Sequence, residues 1–239
     1  MTRLPYARQC LLCLVLVLSL AALAGCGGAE PEQRKAFIAF LKDAVSRRTG
    51  NALPVLSREE EKSFGDYTEH YAVLVRFQKD LAAGTAENTR HLLAFAGITT
   101  LEGMIRAESS LKNAAREAQT LERLARDCQK TADKAKKALS RPEDLAPVYD
   151  AVYEKTVTLP AEASAAAFAA ARAAIAANLA LVGYITDNSH DLGVADGRIQ
   201  VYNRAAEPEL KERMAAVQAA SDALFKAYAS MREAMSRQQ

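Results

Sequence analysis

The sequence predicts an all-α protein: an elongated up-and-down helical bundle with two long heptad-patterned helices and one small β-hairpin insert. Three observations carry this. Met104, Leu111, Ala118, Ala125, Ala132 and Leu139 recur every seven residues, with Ala107, Ala114, Leu121, Cys128 and Ala135 three positions later. Near the C-terminus, Leu210, Val217, Leu224 and Met231 form one seam line, and Met214, Ser221, Tyr228 and Met235 a second. Between the two patterns, 13 of the 20 residues from 161 to 180 are alanine, which favours helix and close approach of neighbours.

Composition limits the function. Of 239 residues, 50% are hydrophobic, 25% charged and 6% aromatic, with no Trp. Such a chain is neither a disordered tail, a collagen nor a disulfide-dense mini-protein. Its 31 basic residues nearly cancel 29 acidic ones, which argues against nucleic acid as a partner.

The first 25 residues read as an address. Arg3 and Arg8 precede an apolar run, Leu11 to Leu23, broken only by the mildly polar Cys13 and Ser19. It exits through Leu23-Ala24-Gly25-Cys26, which resembles a bacterial lipobox: small residues fit the peptidase, and the Cys26 thiol forms the thioether to lipid. The expected organisation is a cleaved lipoprotein signal at 1–25, a lipidated tether at 26–32 and one helical-bundle domain at 33–239, with the hairpin at 191–202. Two or three acyl chains of the palmitate type would anchor the protein stably without a spanning segment. Gly27 in place of Asp after the cysteine directs such proteins to the outer membrane, so the expected location is its inner leaflet, facing the periplasm. Removing Arg3 and Arg8 leaves the side chains balanced. The pair Cys10 and Cys13 lies inside the leader, so only Cys26 and Cys128 remain and no intramolecular disulfide is expected.

Along the remaining chain, Pro31 to Thr49 reads as a helix with Phe37, Ile38, Leu41 and Val45 on one face and Gly50 past its end. Ser57 and Glu60 form a capping box. The helix behind it carries Phe64, Tyr67, Tyr71, Leu74 and Leu81, and Gly84 is expected to end it. The stretch from Thr85 to Thr100 is irregular. The first heptad helix is expected to run unbroken from 104 to 139, stopped by Arg141-Pro142. A short helix over Glu143 to Thr156 follows, and Pro160 starts the alanine-rich one. The alanine run is read as a packed internal helix, because Arg172 and Asn178 interrupt it and alanine is only weakly apolar. Asp196-Gly197 between alternating apolar residues predicts the hairpin. The last helix starts between Asn203 and Pro208, and its seam can pair with the first.

The order of Gln33 to Ile38 with Phe40-Leu41, Leu53-Pro54, Phe64-Gly65, Tyr71-Ala72, Asp144-Leu145 with Pro147-Val148, Thr158 with Pro160-Ala161, Val182-Gly183, and Gly197 with Ile199 resembles the YiaF-like bacterial lipoproteins, a domain-of-unknown-function family. The likeness covers nearly all of the chain after the leader and departs most in the long basic helix. It implies a lipoprotein and transfers no catalytic residues.

No catalytic constellation, metal site or cofactor motif is found. Glu87 and His91, spaced for one helix face, His70 beside Glu69, and His190 beside Asp187 and Asp191 read as solvated histidines. Glu59, Glu60 and Glu61 suit a helix first turn. Cys128 reads as a small buried hydrophobe. The candidate surface is basic: Arg123, Arg126, Lys130, Lys134, Lys137 and Arg141 follow three- and four-residue steps along the outside of the long helix. From 121 to 141, seven basic residues face three acidic ones. The expected function is that of a non-enzymatic structural or interaction protein of the envelope. The alternative is a small-ligand- or metal-binding bundle near His190 and the hairpin. Expected partners are the membrane through acyl chains, an envelope protein or an anionic lipid, and a second copy if the heptad seams close between chains.

Overall fold

A computed structural model describes residues 29–47, 52–98 and 100–236. The leader, the lipobox and the expected stop at Gly50 lie outside the described residues. Helix α1, Glu30–Phe40, carries Pro31 in its first turn, where a missing N–H breaks no bond. It continues as a wider π-type turn, Leu41–Ser46. Phe37, Leu41 and Val45 are buried, as their spacing predicts. Helix α2, Arg58–Phe64, opens with the expected capping box. The Ser57 hydroxyl accepts from the Glu60 N–H at 3.2 Å, and the Glu60 carboxylate accepts from the Ser57 N–H at 2.7 Å.

The helix expected to end at Gly84 differs at two points. It breaks at Gly65, whose φ of 53° suits glycine, and turns through Gly65–Tyr67 into α3, Thr68–Glu87. It also runs past Gly84. A Cβ there would fall 2.6 Å from Leu124 Cδ2, so this glycine is a packing residue between helices and not a terminator. Helices α4, Arg90–Ala96, and α5, Leu101–Arg106, fill the irregular stretch.

The expected continuous helix from 104 starts later, as α6, Glu108–Ala138, 31 residues long and about 46 Å at ~1.5 Å per residue. Ala107 leaves helical geometry at φ −101°, ψ 18°, one turn after Gly103, which weakens helix locally. Met104 still packs from α5 against Leu111, Ala114 and Ile175. On α6, Leu111, Ala114, Ala118, Leu121, Ala125 and Ala132 are buried, which is the predicted seam.

Helix α7, Ala146–Tyr153, a π-type turn, Glu154–Thr158, and α8, Leu159–Asp187, join into one rod of 42 residues. The break expected at Pro160 does not occur. Proline lacks an N–H and crowds the carbonyl four residues back, and the wider turn just before it accommodates both effects. This rod is long and apolar enough, by length and composition, to cross a membrane. A packed core helix passes the same test, and α8 has neighbours on both sides, with Ser164 and Asn178 buried in it.

Those neighbours correct the expected pairing. Helix α6 and the last helix, α9, Glu207–Ser236, each pack chiefly against α8 and not against one another. Ala161, Ala165, Ala167 and Ala174 are buried in α8, and side chains this small let helices approach on two sides. On α9, Leu210, Val217, Leu224 and Met231 are buried or half-buried. The second line is only partly covered: Met214 and Tyr228 are 49% and 51% exposed, while Ser221 and Met235 are half-buried, as are the neighbouring Ala220, Ala227 and Ala234. The hairpin is present as β1, Leu192–Ala195, and β2, Arg198–Val201, antiparallel, with Leu192 opposite Val201. Asp196 and Gly197 both have positive φ, 55° and 73°, as a type I′ turn requires. Leu192 anchors the hairpin against Leu181, Ile185, Ala206 and Leu210.

Large side chains concentrate at the other end. Phe37 lies edge-on to Phe64 at 5.4 Å and stacks on Tyr67 at 5.8 Å. His70, expected as a solvated residue, is only 6% exposed and sits inside this group, edge-on to Tyr149 at 5.5 Å. Its Nε2 meets the Ser140 carbonyl at 2.9 Å. A carbonyl only accepts, so the proton is on Nε2. The buried Nδ1 has no hydrogen-bond partner among the described residues. Burial first, and Arg141 nearby, push the imidazole below its ordinary 6.5, against the Ser140 bond and Glu69.

Ala174→Leu forces extra volume into the α8 seam and is expected to lower the unfolding free energy by about 1–3 kcal/mol. Ala176→Leu, on an exposed position, should stay within about 0.5 kcal/mol of the unsubstituted protein. Urea midpoints read the difference, and equal effects would contradict the two-sided packing of α8.

The lowered folded-state pKa of His70 also fixes a sign. Between the folded and unfolded values the unfolded chain binds more protons, so this contribution is full above about 6.5 and is lost as pH falls below it. The unfolding free energy should therefore decline more steeply from about pH 7 to 5 than it does in His70→Phe. Parallel pH profiles for the two proteins would refute the assignment.

Candidate functional site

Helix α6 turns small residues inward and cations outward because the two sets occupy opposite sides of one heptad. Arg123, Lys130, Lys134 and Lys137 are exposed, and none has an ion-pair partner among the described residues. Arg126 is exposed and pairs with Glu122, one turn back, at 3.1 Å. Arg141, expected on the same surface, is withdrawn from it: its guanidinium lies 2.6 Å from Asp150, with 27% of the side chain exposed. Lys136 also turns inward, 2.9 Å from Asp150 and 4.2 Å from the centre of the Tyr153 ring.

The carboxylates of this stretch do little to neutralise the face. Glu122 is 17% exposed and is shared by Arg126 and Arg172. Asp133 accepts from the Tyr153 hydroxyl at 2.8 Å. Asp127 alone of the three is exposed. One further member of the row escaped the sequence reading. Arg116 is exposed and touches the Asn113 side-chain amide, which leaves its charge unneutralised. It follows buried Leu111 by five residues, the offset that separates Ala118 from Arg123, Ala125 from Lys130 and Ala132 from Lys137. That offset was available in the sequence as the signal.

The histidines do not converge. Glu87 and His91, spaced for one helix face, fall on different helices, α3 and α4. His91 Nδ1 lies 2.5 Å from Glu117 Oε1, and Glu117 Oε2 accepts from the backbone N–H groups of His91 at 2.7 Å and Leu92 at 3.0 Å. Burial raises the Glu117 pKa, but these bonds together outweigh it and hold the carboxyl below its usual range. Glu117 thus serves α4 as a cap supplied by α6. His190 is 75% exposed and 3.1 Å from Asp191. Among the described residues, no three His, Cys, Asp or Glu are grouped to hold a metal ion. Burial, then Asp80 and Asp127, push the Cys128 thiol up, which keeps it protonated.

Three grooves border α3, and the largest, about 670 Å³, runs between α3 and α9 past Phe77, Leu81, Tyr228, Met231 and Met235. None of the three is lined by His190 or the hairpin, where the alternative reading puts a ligand site.

Residues 12–232 match the family described as Protein of unknown function (DUF3053). The Uncharacterized protein YiaF of Escherichia coli (strain K12) is 30% identical over 151 residues, 63% of this chain and 64% of that protein. The protein of the same name in Shigella flexneri gives the same figures. The chain therefore spans just under two thirds of the length of the curated relatives it matches. No solved structure matches the chain. Because the match takes in every described helix, with only the last turn of α9 left over, this chain belongs to the DUF3053 family of YiaF-like proteins.

Proposed function

We propose that the chain is a lipid-anchored protein of the bacterial envelope, held by acyl chains on Cys26, that works by contact and not by catalysis. The observation that carries this reading is the α6 face: an exposed row of cations, of which Arg116, Arg123, Lys130, Lys134 and Lys137 have no ion-pair partner among the described residues, on a helix whose other side is committed to the core. Charges left unpaired on a rigid element are available to an external anionic surface.

The rest of the molecule supports the same reading. Among the described residues, groups with shifted pKa values are engaged in structure. Tyr67, His70, Tyr149 and Tyr153 pack together in one buried aromatic cluster, Glu117 caps α4, Glu102 accepts from the Gly197 N–H, and Cys128 is kept protonated. Perturbed groups at a catalytic centre would instead line an open cleft that a substrate can enter. The lipobox Leu23-Ala24-Gly25-Cys26 supplies the anchor, and the family match from residue 12 takes in most of the apolar run before it. Anchoring by two or more acyl chains is stable where one is marginal. With Gly27 after the cysteine, the proposed site is the inner leaflet of the outer membrane.

Growth of a bacterial host expressing the full chain with an alkyne-tagged palmitate reads this directly. The expected result is tag incorporation and membrane fractionation, with Cys26→Ser abolishing incorporation and accumulating the uncleaved chain. Equal tagging of Cys26→Ser, or cleavage of it at the same site, would overturn the anchor.

A further inference from the structure

The residues of the α6 row lie in a straight line. Arg116, Arg123, Lys130 and Lys137 stand seven residues apart, flanked by Arg126 and Lys134. Their line parallels the buried line Leu111, Ala118, Ala125 and Ala132, so it keeps facing outward along its whole length. From 116 to 137 it extends about 31 Å at ~1.5 Å per residue. Long, straight and mainly basic, with Asp127 as its one exposed carboxylate, it fits a flat surface of repeated negative charge and not a compact anion, which would need convergent donors.

The place where the chain enters the fold bears on the same point. Helix α1 begins beside the end of α6. Arg34, one turn into α1, lies 3.1 Å from Asp144, just past the α6 C-terminus, and the Tyr67 hydroxyl donates to Glu30. His70, one turn along α3 from Tyr67, meets Ser140 at 2.9 Å. Glu30 follows Cys26 by four residues, a covalent reach of about 14 Å. A lipid on Cys26 would thus hold the Lys137 end of the row close to the headgroups. Carboxylates at this end are largely engaged: Glu30 and Asp144 by Arg34, Asp150 by Lys136 and Arg141. Glu32, Lys35 and Glu143 stay exposed there.

We infer that the outer face of α6, Arg116 to Lys137, lies flat on anionic phospholipid headgroups of the membrane to which the chain is tethered. This rests on the proposed attachment at Cys26 for its geometry, while the charge row itself would bind such a surface with or without the anchor. The attraction is electrostatic, so it needs anionic lipid and weakens as salt shortens the screening length. The long axis of the bundle would then run along the membrane, with α9 turned away from it.

The test uses full-length protein taken from host membranes and reconstituted with vesicles of phosphatidylcholine alone or mixed with phosphatidylglycerol. Flotation reports attachment. Modification by a membrane-impermeant amine reagent, read lysine by lysine, reports the face. The expected result is flotation with both vesicles, and labelling of Lys130, Lys134 and Lys137 several-fold slower on the anionic ones. Salt at about 0.5 M should remove the difference, and Lys211 and Lys226 on α9 should not respond. Arg116→Gln with Arg123→Gln should weaken protection of Lys130, about fivefold in surface affinity for each charge removed. Flotation with anionic vesicles only, with the same protection, supports the face while refuting the anchor. Equal labelling on both vesicles, or flotation with neither, overturns the inference.

Discussion

The fold depends on how narrow α8 is. A helix with Ala161, Ala165, Ala167 and Ala174 on its buried sides can be approached from two directions at once, so α6 and α9 both find their seams there. The same residues bury little area each, at about 25 cal/mol per Å² of apolar surface. Cohesion along the rod therefore comes from contact length, and the compensating large side chains sit elsewhere. Phe37, Phe64, Tyr67, Tyr71, Tyr149 and Tyr153 pack together at the end where α1, α3 and α7 meet. Few aromatics suffice because they are concentrated.

This division has consequences for the surface. Because α6 spends its inward heptad positions on small apolar residues, its outward positions are free of structural duty. The cations there neither cap helices nor close core ion pairs, apart from Arg126 with its own-helix partner Glu122. Where a cation does serve the fold, as Lys136 and Arg141 do around Asp150, it leaves the exposed row. Structure and contact surface are thus sorted by helix face on one element, and the rigidity given by α8 keeps the row straight.

Periodicity made much of this legible. The α6 seam, the capping box at Ser57, the hairpin turn at Asp196-Gly197 and most of the basic row followed from spacing alone. What spacing could not reveal was which helix meets which. Two heptad patterns look complementary to one another, and an alanine run carries no periodic signal of its own, so the direct pairing of α6 with α9 was the natural and wrong reading. Proline at 160 looked like a start because sequence does not display the wider turn that accommodates it. Glycine at 84 looked like a stop because its role is tertiary, set by Leu124 from another helix. His70 looked solvated because the chain beside it is polar, whereas its surroundings come from residues 37, 67, 140 and 149. For the site, charge and exposure were readable, and pairing was not: Asp150 removes Arg141 from the row across nine positions of chain.

The central physical claim is that α8 is the spine clasped by α6 and α9 within one chain. Native-state hydrogen exchange on the full-length protein addresses it most directly, because each amide exchanges through the lowest-free-energy opening that exposes it. The α8 amides from Ala165 to Val182 should be the slowest in the molecule and should open only with global unfolding, while those in the C-terminal half of α9 exchange faster through local opening. Exchange of the α8 amides as fast as those of α9 would contradict the claim.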